Sequence, residues 1–161
     1  MAKKVIIIRH GDYDGNHNLS EYGKESISRL AMKLLPEIER KTIVCISSMA
    51  SRGIQSSEIL QTKWKKNGIS IAFEKKYEVW SGNDAYRERR RLLEQEERDI
   101  SVQNFDWLKA FIENAIEEIV IVMSHLEFVE DFPEMLGFKG EEIDKGQAMI
   151  LDLETHERII I

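Results

Sequence analysis

Apolar residues along the chain form two kinds of pattern, and these two kinds alternate. Short aliphatic runs without polar alternation indicate strands that are buried on both faces of a sheet. Runs of this kind lie at 4–9, 42–48, 69–73 and 119–124. Two further apolar runs, at 148–154 and 158–161, predict a terminal hairpin.

Between these runs, apolar residues recur with the three- or four-residue spacing of helices. The first helix follows Ser20, a favourable N-cap residue, and has Glu21 in its first turn. Further helices are predicted at about 51–66, 101–117 and 126–136. Alternating helices and buried strands predict the α/β class, with a three-layer α/β/α sandwich around a mainly parallel central sheet.

The composition is that of a single globular domain. A chain of 161 residues can bury a core without cross-links, so we predict one domain over 1–161. The formal net charge of -6 argues against nucleic acid or an anionic membrane as a partner. No apolar stretch approaches the roughly 20 residues that span a bilayer. The sequence enters its first strand without a signal-peptide pattern, and we therefore predict a cytoplasmic protein.

Arginine and histidine follow the ends of several predicted strands. The first strand ends in Arg9 and His10, and the fourth is followed directly by His125. The second strand leads into a helix that carries Arg52 in its first turn. In open α/β sheets, ligands bind beyond the carboxyl ends of the strands. We therefore expect these four side chains to lie at one edge of the sheet.

Two arginines and two histidines at one sheet edge indicate a site that handles a phosphoryl group. Arginine side chains form bidentate, charge-assisted hydrogen bonds with phosphate oxygens. The N-terminus of a helix adds backbone N–H donors for the same anion. A neutral imidazole can attack phosphorus, and a second imidazole can donate a hydrogen bond or carry a proton.

Three segments, in this order, resemble the fingerprint of the histidine phosphatase superfamily. They are the Arg-His-Gly at 9–11, the Ser-x-x-x-Arg pattern within SSMASRGIQSSEIL, and the second histidine within VIVMSHLEF. LSEYGKES at 19–26 is similar to the segment that opens the first helix of this family. The resemblance covers nearly the whole chain and implies a phosphoglycerate mutase-like fold.

The resemblance also implies a role for each matching residue. His10 matches the nucleophile that becomes phosphorylated, and Arg9, Arg52 and His125 match the residues that complete the phosphate pocket. Asn16 matches a position where mutase-like relatives place an asparagine that contacts phosphate. No metal is expected, because the arginines already neutralise the phosphate charge.

The resemblance is strongest to the SixA group of phosphohistidine phosphatases, because the chain is small and Ser124-His125-Leu126 follows the last long strand. It implies removal of phosphate from phosphohistidine on a protein such as a histidine phosphotransfer domain. The alternative is hydrolysis of small phosphomonoesters, with a phosphorylated metabolite as substrate. A third possibility, from another class, is a module that binds phosphoproteins without turnover.

The identity of a general acid stays open. Many members of the superfamily protonate the leaving oxygen with a glutamate after the third strand. Glu78 is the nearest match, and Glu74 and Glu127 are alternatives. Each of them can also be an ordinary surface carboxylate. Phosphohistidine has a better leaving group than an alkyl phosphate, so the reaction can also proceed without an acid.

The chain carries a charged segment that a minimal SixA-like domain lacks. YRERRRLLEQEER at 86–98 contains oppositely charged pairs at i,i+4 spacing, as expected of a solvated helix. The alternative is a lid over the catalytic edge, whose arginines attract an anionic substrate. Both interpretations place a helix in this segment, and we predict a charged helical cap insertion at about 84–99.

Overall fold

The computed structural model of the chain describes residues 1–79 and 94–161, and for residues 77, 94–103 and 127 it describes only the backbone. Six strands and four α-helices are present in these ranges. The strands are β1 (Lys4–Arg9), β2 (Ile43–Ser47), β3 (Phe73–Lys75), β4 (Ile119–Ser124), β5 (Ala148–Asp152) and β6 (Arg158–Ile160). The helices are α1 (Glu21–Ile38), α2 (Ser51–Lys66), α3 (Glu94–Asn114) and α4 (Leu126–Glu130), with 3₁₀ turns at Tyr77–Val79 and Phe132–Leu136.

The strands form one sheet in the order β3-β2-β4-β1-β5-β6. Strand β4 lies parallel to both β1 and β2, and β2 lies parallel to β3. Strands β5 and β6 form an antiparallel hairpin against β1. The predicted mainly parallel sheet and the terminal hairpin are therefore confirmed. Because β4 separates β1 from β2, the carboxyl ends of these three strands lie side by side.

The two faces of the sheet are covered by different helices, as a three-layer sandwich requires. On one face, α1 and α2 pack through Leu34, Leu60 and Trp64 against alternate strand residues such as Ile6. On the other face, α3 and α4 pack against the intervening strand residues. Successive residues of a strand point to opposite faces, so strands with apolar residues at every position must be covered on both sides. The sequence pattern therefore required both helical layers.

The loop between β1 and α1 packs closely against the first turn of that helix. Ser20 caps the helix, as predicted, by accepting a hydrogen bond from the Gly23 backbone N–H at 3.0 Å. A Cβ atom on Gly23 would lie only 2.1 Å from the carbonyl oxygen of Asp12. A Cβ atom on Gly11 would lie 2.9 Å from the carbonyl oxygen of Gly23. Both positions therefore need glycine, which brings the residues after β1 tightly onto α1.

The bounds of the third strand and of the helix before β4 differ from the prediction. The third strand was expected at 69–73 but spans Phe73–Lys75, because its ladder with β2 begins where Cys45 pairs with Phe73. The apolar residues before it pack against the α1–α2 side of the core without belonging to the ladder. The helix expected at 101–117 begins earlier and ends at Asn114.

The predicted cap at 84–99 falls mostly outside the described residues. Residues 94–99 form the first turns of α3, and residues 84–93 lie outside the described ranges. The short helix expected at 126–136 is divided into α4 and a 3₁₀ turn. In the parts of the chain that the structure describes, no helix is long and apolar enough to cross a membrane.

Candidate active site

The carboxyl edge of the sheet brings together the four arginine and histidine residues predicted from the sequence. Arg9 ends β1, at a register position opposite Ser124 of β4. The rings of His10 and His125 therefore meet edge to face, with 4.9 Å between their centroids. Arg52, in the first turn of α2, donates a hydrogen bond from its Nε to His10 Nε2 at 3.2 Å. The structure thus forms one cluster from three separate segments of the chain.

His10 is buried and held in one orientation. Only 4% of the residue is exposed, and its backbone N–H donates to the carbonyl oxygen of Ser124 at 3.1 Å. The ring Nδ1 lies 2.8 Å from the carbonyl oxygen of Gly11, which can only accept a hydrogen bond. The Nδ1 atom therefore carries the proton, and Nε2 has the free electron pair that accepts from Arg52.

The surroundings of His10 keep its imidazole neutral. Burial is the largest cause of its low pKa, which falls from 6.5 to about 3. The hydrogen bond to Gly11 opposes this change, whereas the positive charges of Arg52, Arg9 and Lys145 lower the pKa further. At neutral pH Nε2 therefore carries no proton, and its electron pair can attack an electrophile once the Arg52 N–H has moved from it.

The low pKa predicts a pH-dependent stability difference between the wild-type protein and a His10→Asn variant. The unfolded chain binds a proton at His10 below about pH 6.5, whereas the folded protein does so only near pH 3. Protonation therefore favours the unfolded state as the pH falls through this window. At about 1.4 kcal/mol per pH unit, the wild type should lose on the order of 3 kcal/mol between pH 6.5 and pH 4 relative to the variant.

Urea denaturation at a series of pH values, in buffers without phosphate, measures this difference. Phosphate must be absent because a bound anion would stabilise the folded protein and change the titration of His10. Other titrating groups are common to both proteins, so the difference between the two curves isolates His10. Parallel curves for the two proteins would show that His10 is not held neutral by burial.

Arg52 lies against an aromatic side chain at the start of α2. The residue is 2% exposed, and its Cζ lies 4.7 Å from the centroid of the Tyr13 ring. A guanidinium group over an aromatic face is stabilised by the negative face of the ring. Ser56, one turn further along α2, accepts a hydrogen bond from the Gly11 N–H at 3.1 Å and donates to the Arg52 carbonyl oxygen at 2.7 Å. The loop after β1 and the first turn of α2 are thereby held together.

Arg9 has a buried donor that is not used within the described part of the chain. Its Nη1 donates to the carbonyl oxygen of Ile143 at 2.6 Å. Its Nε is buried and has no hydrogen-bond partner among residues 1–79 and 94–161. An unsatisfied buried donor typically costs about 1–3 kcal/mol.

His125 is positioned by a serine that follows β2. Its Nε2 lies 3.0 Å from Ser48 Oγ, within hydrogen-bonding distance. Ser48 follows β2, and a Cβ atom on Gly53 would lie 2.4 Å from the same hydroxyl oxygen. Glycine at position 53 therefore leaves space for Ser48 to reach His125. The Ser-x-x-x-Arg pattern contained Ser48, but the pattern alone did not show that its hydroxyl contacts the second histidine.

The three glutamates proposed as general acids lie in different surroundings. Glu78 is half-buried in the 3₁₀ turn after β3, and the neighbouring Val79 carbonyl accepts a hydrogen bond from Ser124 Oγ at 3.0 Å. This bond places the turn at the carboxyl end of β4, beside the cluster. Glu74 is exposed and forms an ion pair with Lys76 at 3.1 Å. The Glu127 side chain lies outside the described residues.

Asn16 is exposed in the turn after β1. Its backbone N–H donates to Asp14 Oδ1 at 2.8 Å, which stabilises the turn. Its contact with phosphate stays a prediction from the resemblance. Within residues 1–79 and 94–161, no three histidine, cysteine or carboxylate side chains are grouped so as to hold a metal ion.

The sequence analysis missed the polar residues around the rim of the cluster. Lys145 Nζ lies 4.6 Å from the centroid of the Tyr13 ring and 3.3 Å from Asp12 Oδ1. Tyr13 also meets the His10 ring at 5.4 Å between centroids. Lys145 lies far from the strand-end motifs in the sequence, and only the return of the chain before β5 brings it to this edge.

Comparisons with known proteins identify the fold. No protein-family model and no curated protein matches the sequence. Among solved structures, an Agrobacterium tumefaciens protein described as the phosphohistidine phosphatase SixA matches with a TM-score of 0.62 and 16% identity, over 100% of this chain and 97% of that chain. The protein histidine phosphatase SixA complexed with tungstate matches with a TM-score of 0.64 and 18% identity, over 98% of this chain and 94% of that chain.

A third solved structure, of a phosphatase named for a different substrate, also matches the whole chain. Mycobacterial glucosyl-3-phosphoglycerate phosphatase in complex with VO3 matches with a TM-score of 0.65 and 15% identity, over 99% of this chain and 98% of that chain. These matches extend over nearly the full length of both partners. The chain therefore has the phosphoglycerate mutase-like fold of the histidine phosphatases, as the resemblance implied.

Proposed function

We propose that this protein is a phosphatase that acts through a phosphohistidine at His10 and removes phosphate from phosphohistidine on a protein. The observation that carries the proposal is the neutral, buried His10, whose Nε2 electron pair lies within a cluster formed by Arg9, Arg52 and His125. A nucleophile surrounded by cationic donors suits an electrophile that carries negative charge, and a phosphoryl group is such an electrophile.

In the first step, His10 Nε2 attacks phosphorus and forms a P–N bond while the bond to the leaving group breaks. The Arg52 Nε–H donates to this electron pair, so the guanidinium must turn from His10 to the phosphoryl oxygens as substrate binds. The leaving imidazole nitrogen of the substrate takes the electron pair of the broken bond and a proton from solvent water. The arginines neutralise the charge on the transferred oxygens, so the proposed step needs no metal ion.

In the second step, water attacks the phosphorus of the phosphohistidine. A P–O bond forms, the P–N bond breaks, and its electron pair returns to His10 Nε2. The proton of the attacking water passes to solvent, and inorganic phosphate is released. The buried Nε of Arg9 provides a donor for one phosphate oxygen throughout, and the His125 ring lies beside His10 as a further donor or proton carrier.

The choice of substrate rests on leaving-group chemistry and on the similar structures. The imidazole of phosphohistidine is a better leaving group than the alkoxide of an alkyl phosphate, so phosphohistidine can be hydrolysed without a strong general acid. The neighbouring SixA structure is that of a protein histidine phosphatase and contains tungstate, an oxyanion. Both points support phosphohistidine on a histidine phosphotransfer domain or a similar protein as the substrate.

The second candidate function is hydrolysis of small phosphomonoesters. It is supported by the position of Glu78, half-buried in the turn beside the carboxyl end of β4. From there the carboxyl group is a candidate acid for the leaving oxygen of an ester. The structurally similar glucosyl-3-phosphoglycerate phosphatase is also named for a small substrate. A binding module without turnover is less well supported, because all four residues of the cluster are present.

The test measures phosphate release from two kinds of substrate by the wild-type protein and by a His10→Asn variant. One substrate is a phosphotransfer domain phosphorylated on histidine, and the other is a panel of small phosphomonoesters. We expect turnover of the protein substrate by the wild type and none above background by the variant. This result would identify a phosphohistidine phosphatase that depends on His10.

The other outcomes each change the proposal. Turnover of small esters alone would reject the protein substrate and make Glu78→Gln the next variant to measure. Equal activity of the wild type and the His10→Asn variant would reject His10 as the nucleophile. Binding of the phosphorylated domain without any turnover would favour the binding module.

A further inference from the structure

The loop that precedes β5 is attached to the end of β1 by four hydrogen bonds. The Gly146 N–H donates to the carbonyl oxygens of Arg9 and His10 at 3.0 and 3.1 Å. The Arg9 N–H donates to the Gln147 carbonyl oxygen at 3.0 Å, and Arg9 Nη1 donates to that of Ile143. Gly146 has a φ of 80°, a conformation that favours glycine. The backbone on both sides of position 145 is therefore held at the active site.

From this backbone the Lys145 side chain reaches the rim of the cluster. Its Nζ lies 3.3 Å from Asp12 Oδ1 and 4.6 Å from the centroid of the Tyr13 ring. The guanidinium of Arg52 lies over the same ring, at 4.7 Å. The same aromatic ring therefore contacts both cations. The Lys145 side chain is 33% exposed, so a ligand can reach its ammonium group from solvent.

Lys145 is an additional cation that the proposed chemistry does not use. Arg9, Arg52 and His125 provide donors for the oxygens of the transferred phosphoryl group. The ammonium of Lys145 is instead paired with Asp12, and Asp12 also accepts a hydrogen bond from Ser20 Oγ at 2.9 Å. Such a half-exposed ion pair is weak, because water competes with it. A substrate anion can therefore share or replace the contact with Asp12.

We propose, on the basis of the phosphatase function proposed above, that Lys145 is a specificity residue that binds a second anionic group of the substrate, beside the transferred phosphoryl group. The ion pair with Asp12 and the contact with the Tyr13 ring hold the ammonium in position at the rim of the cluster. The favoured substrates carry a carboxylate or a second phosphoryl group close to the phosphoryl group that is removed. In a protein substrate, an acidic side chain beside the phosphohistidine supplies the same chemistry.

The test compares two aryl phosphates that differ in one charge. The pair is 3-carboxyphenyl phosphate and 3-carbamoylphenyl phosphate, which have nearly the same shape and similar leaving groups. We expect the wild type to favour the carboxylate. A Lys145→Gln variant should lose about three- to tenfold in kcat/KM for the carboxylate, as for a partly exposed ion pair, and stay within about twofold for the carboxamide. Lys145→Arg should keep the preference.

A matched control removes a lysine from the opposite edge of the sheet. Lys41 pairs with Glu118 at 3.2 Å, just before β4 begins, so Lys41→Gln changes the net charge equally but not the site. This control should leave the rate ratio of the two substrates unchanged. An equal loss for both substrates in Lys145→Gln would overturn the inference, because Lys145 would then act on the transferred phosphoryl group or on the fold.

A binding measurement separates this inference from the proposed function. Calorimetry with the His10→Asn variant gives the affinities of both aryl phosphates in a protein that cannot form the phosphohistidine. Tighter binding of the carboxylate, lost in the His10→Asn, Lys145→Gln double variant, would support the inference even if the wild type turned over neither compound. Turnover by the wild type with no preference for the carboxylate would reject the inference and leave the phosphatase function intact.

Discussion

Replacing His10 with asparagine is expected to lower kcat/KM by about 10⁴-fold or more while the protein stays folded. Asparagine fits the space and can keep a hydrogen bond to Gly11, but it offers no nucleophilic nitrogen. Removal of a nucleophile eliminates the covalent route altogether, and comparable nucleophile deletions cause losses of this order or larger. The rate of phosphate release from the best substrate, with circular dichroism to check folding, measures the effect.

A chemical trapping experiment gives the same prediction a second readout. Phosphohistidine survives alkaline conditions and is hydrolysed in acid, so a labelled phosphoryl group on the wild type should show this stability profile. The label should be absent from His10→Asn. The control is His125→Asn, which removes the other histidine of the cluster, 4.9 Å away, and should still become labelled, though more slowly. A label that persists in His10→Asn and disappears in His125→Asn would show that His125, and not His10, is the nucleophile.

Replacing Arg52 with lysine is expected to lower kcat by about 10²–10³-fold, although the positive charge is retained. An oriented donor that stabilises charge in the transition state typically contributes this much. Lysine lacks the planar, forked donor group that matches phosphate oxygens. It also lacks the Nε–H that contacts His10 Nε2 at 3.2 Å and the guanidinium plane that packs over Tyr13. Steady-state kinetics with saturating substrate separates this loss in kcat from a change in KM.

The matched control for Arg52 is Arg29→Lys on the exposed face of α1. Arg29 lies 3.9 Å from Glu25 in an exposed i,i+4 pair and is remote from the cluster in the chain. Its replacement should leave kcat and KM unchanged. A loss of less than about threefold in Arg52→Lys would mean that Arg52 supplies only general positive charge, and the geometric role assigned to its guanidinium would then be wrong.

Apolar runs in the sequence predicted the central strands well and the edge strand β3 poorly. The aliphatic runs identified β1 and β4 with their exact bounds of Lys4–Arg9 and Ile119–Ser124. These strands lie in the centre of the sheet and are covered on both faces. Most residues in them are therefore buried and apolar. The pattern was misleading at β3, which is a short edge strand. There the apolar residues before the strand are buried by packing alone, so hydrophobicity does not mark the ladder.

Local patterns and motifs after the strands were therefore sufficient to predict the α/β class, the central strands and the four residues of the cluster. The contacts at the rim depend instead on the tertiary structure. Tyr13 and Lys145 are more than a hundred residues apart, and their contact depends on β5 lying against β1. The neutral state of His10 is likewise a product of burial and of charges from three segments. Neither property is a local one, because both arise only when β1, β2 and β4 end, and β5 begins, at the same edge of the sheet.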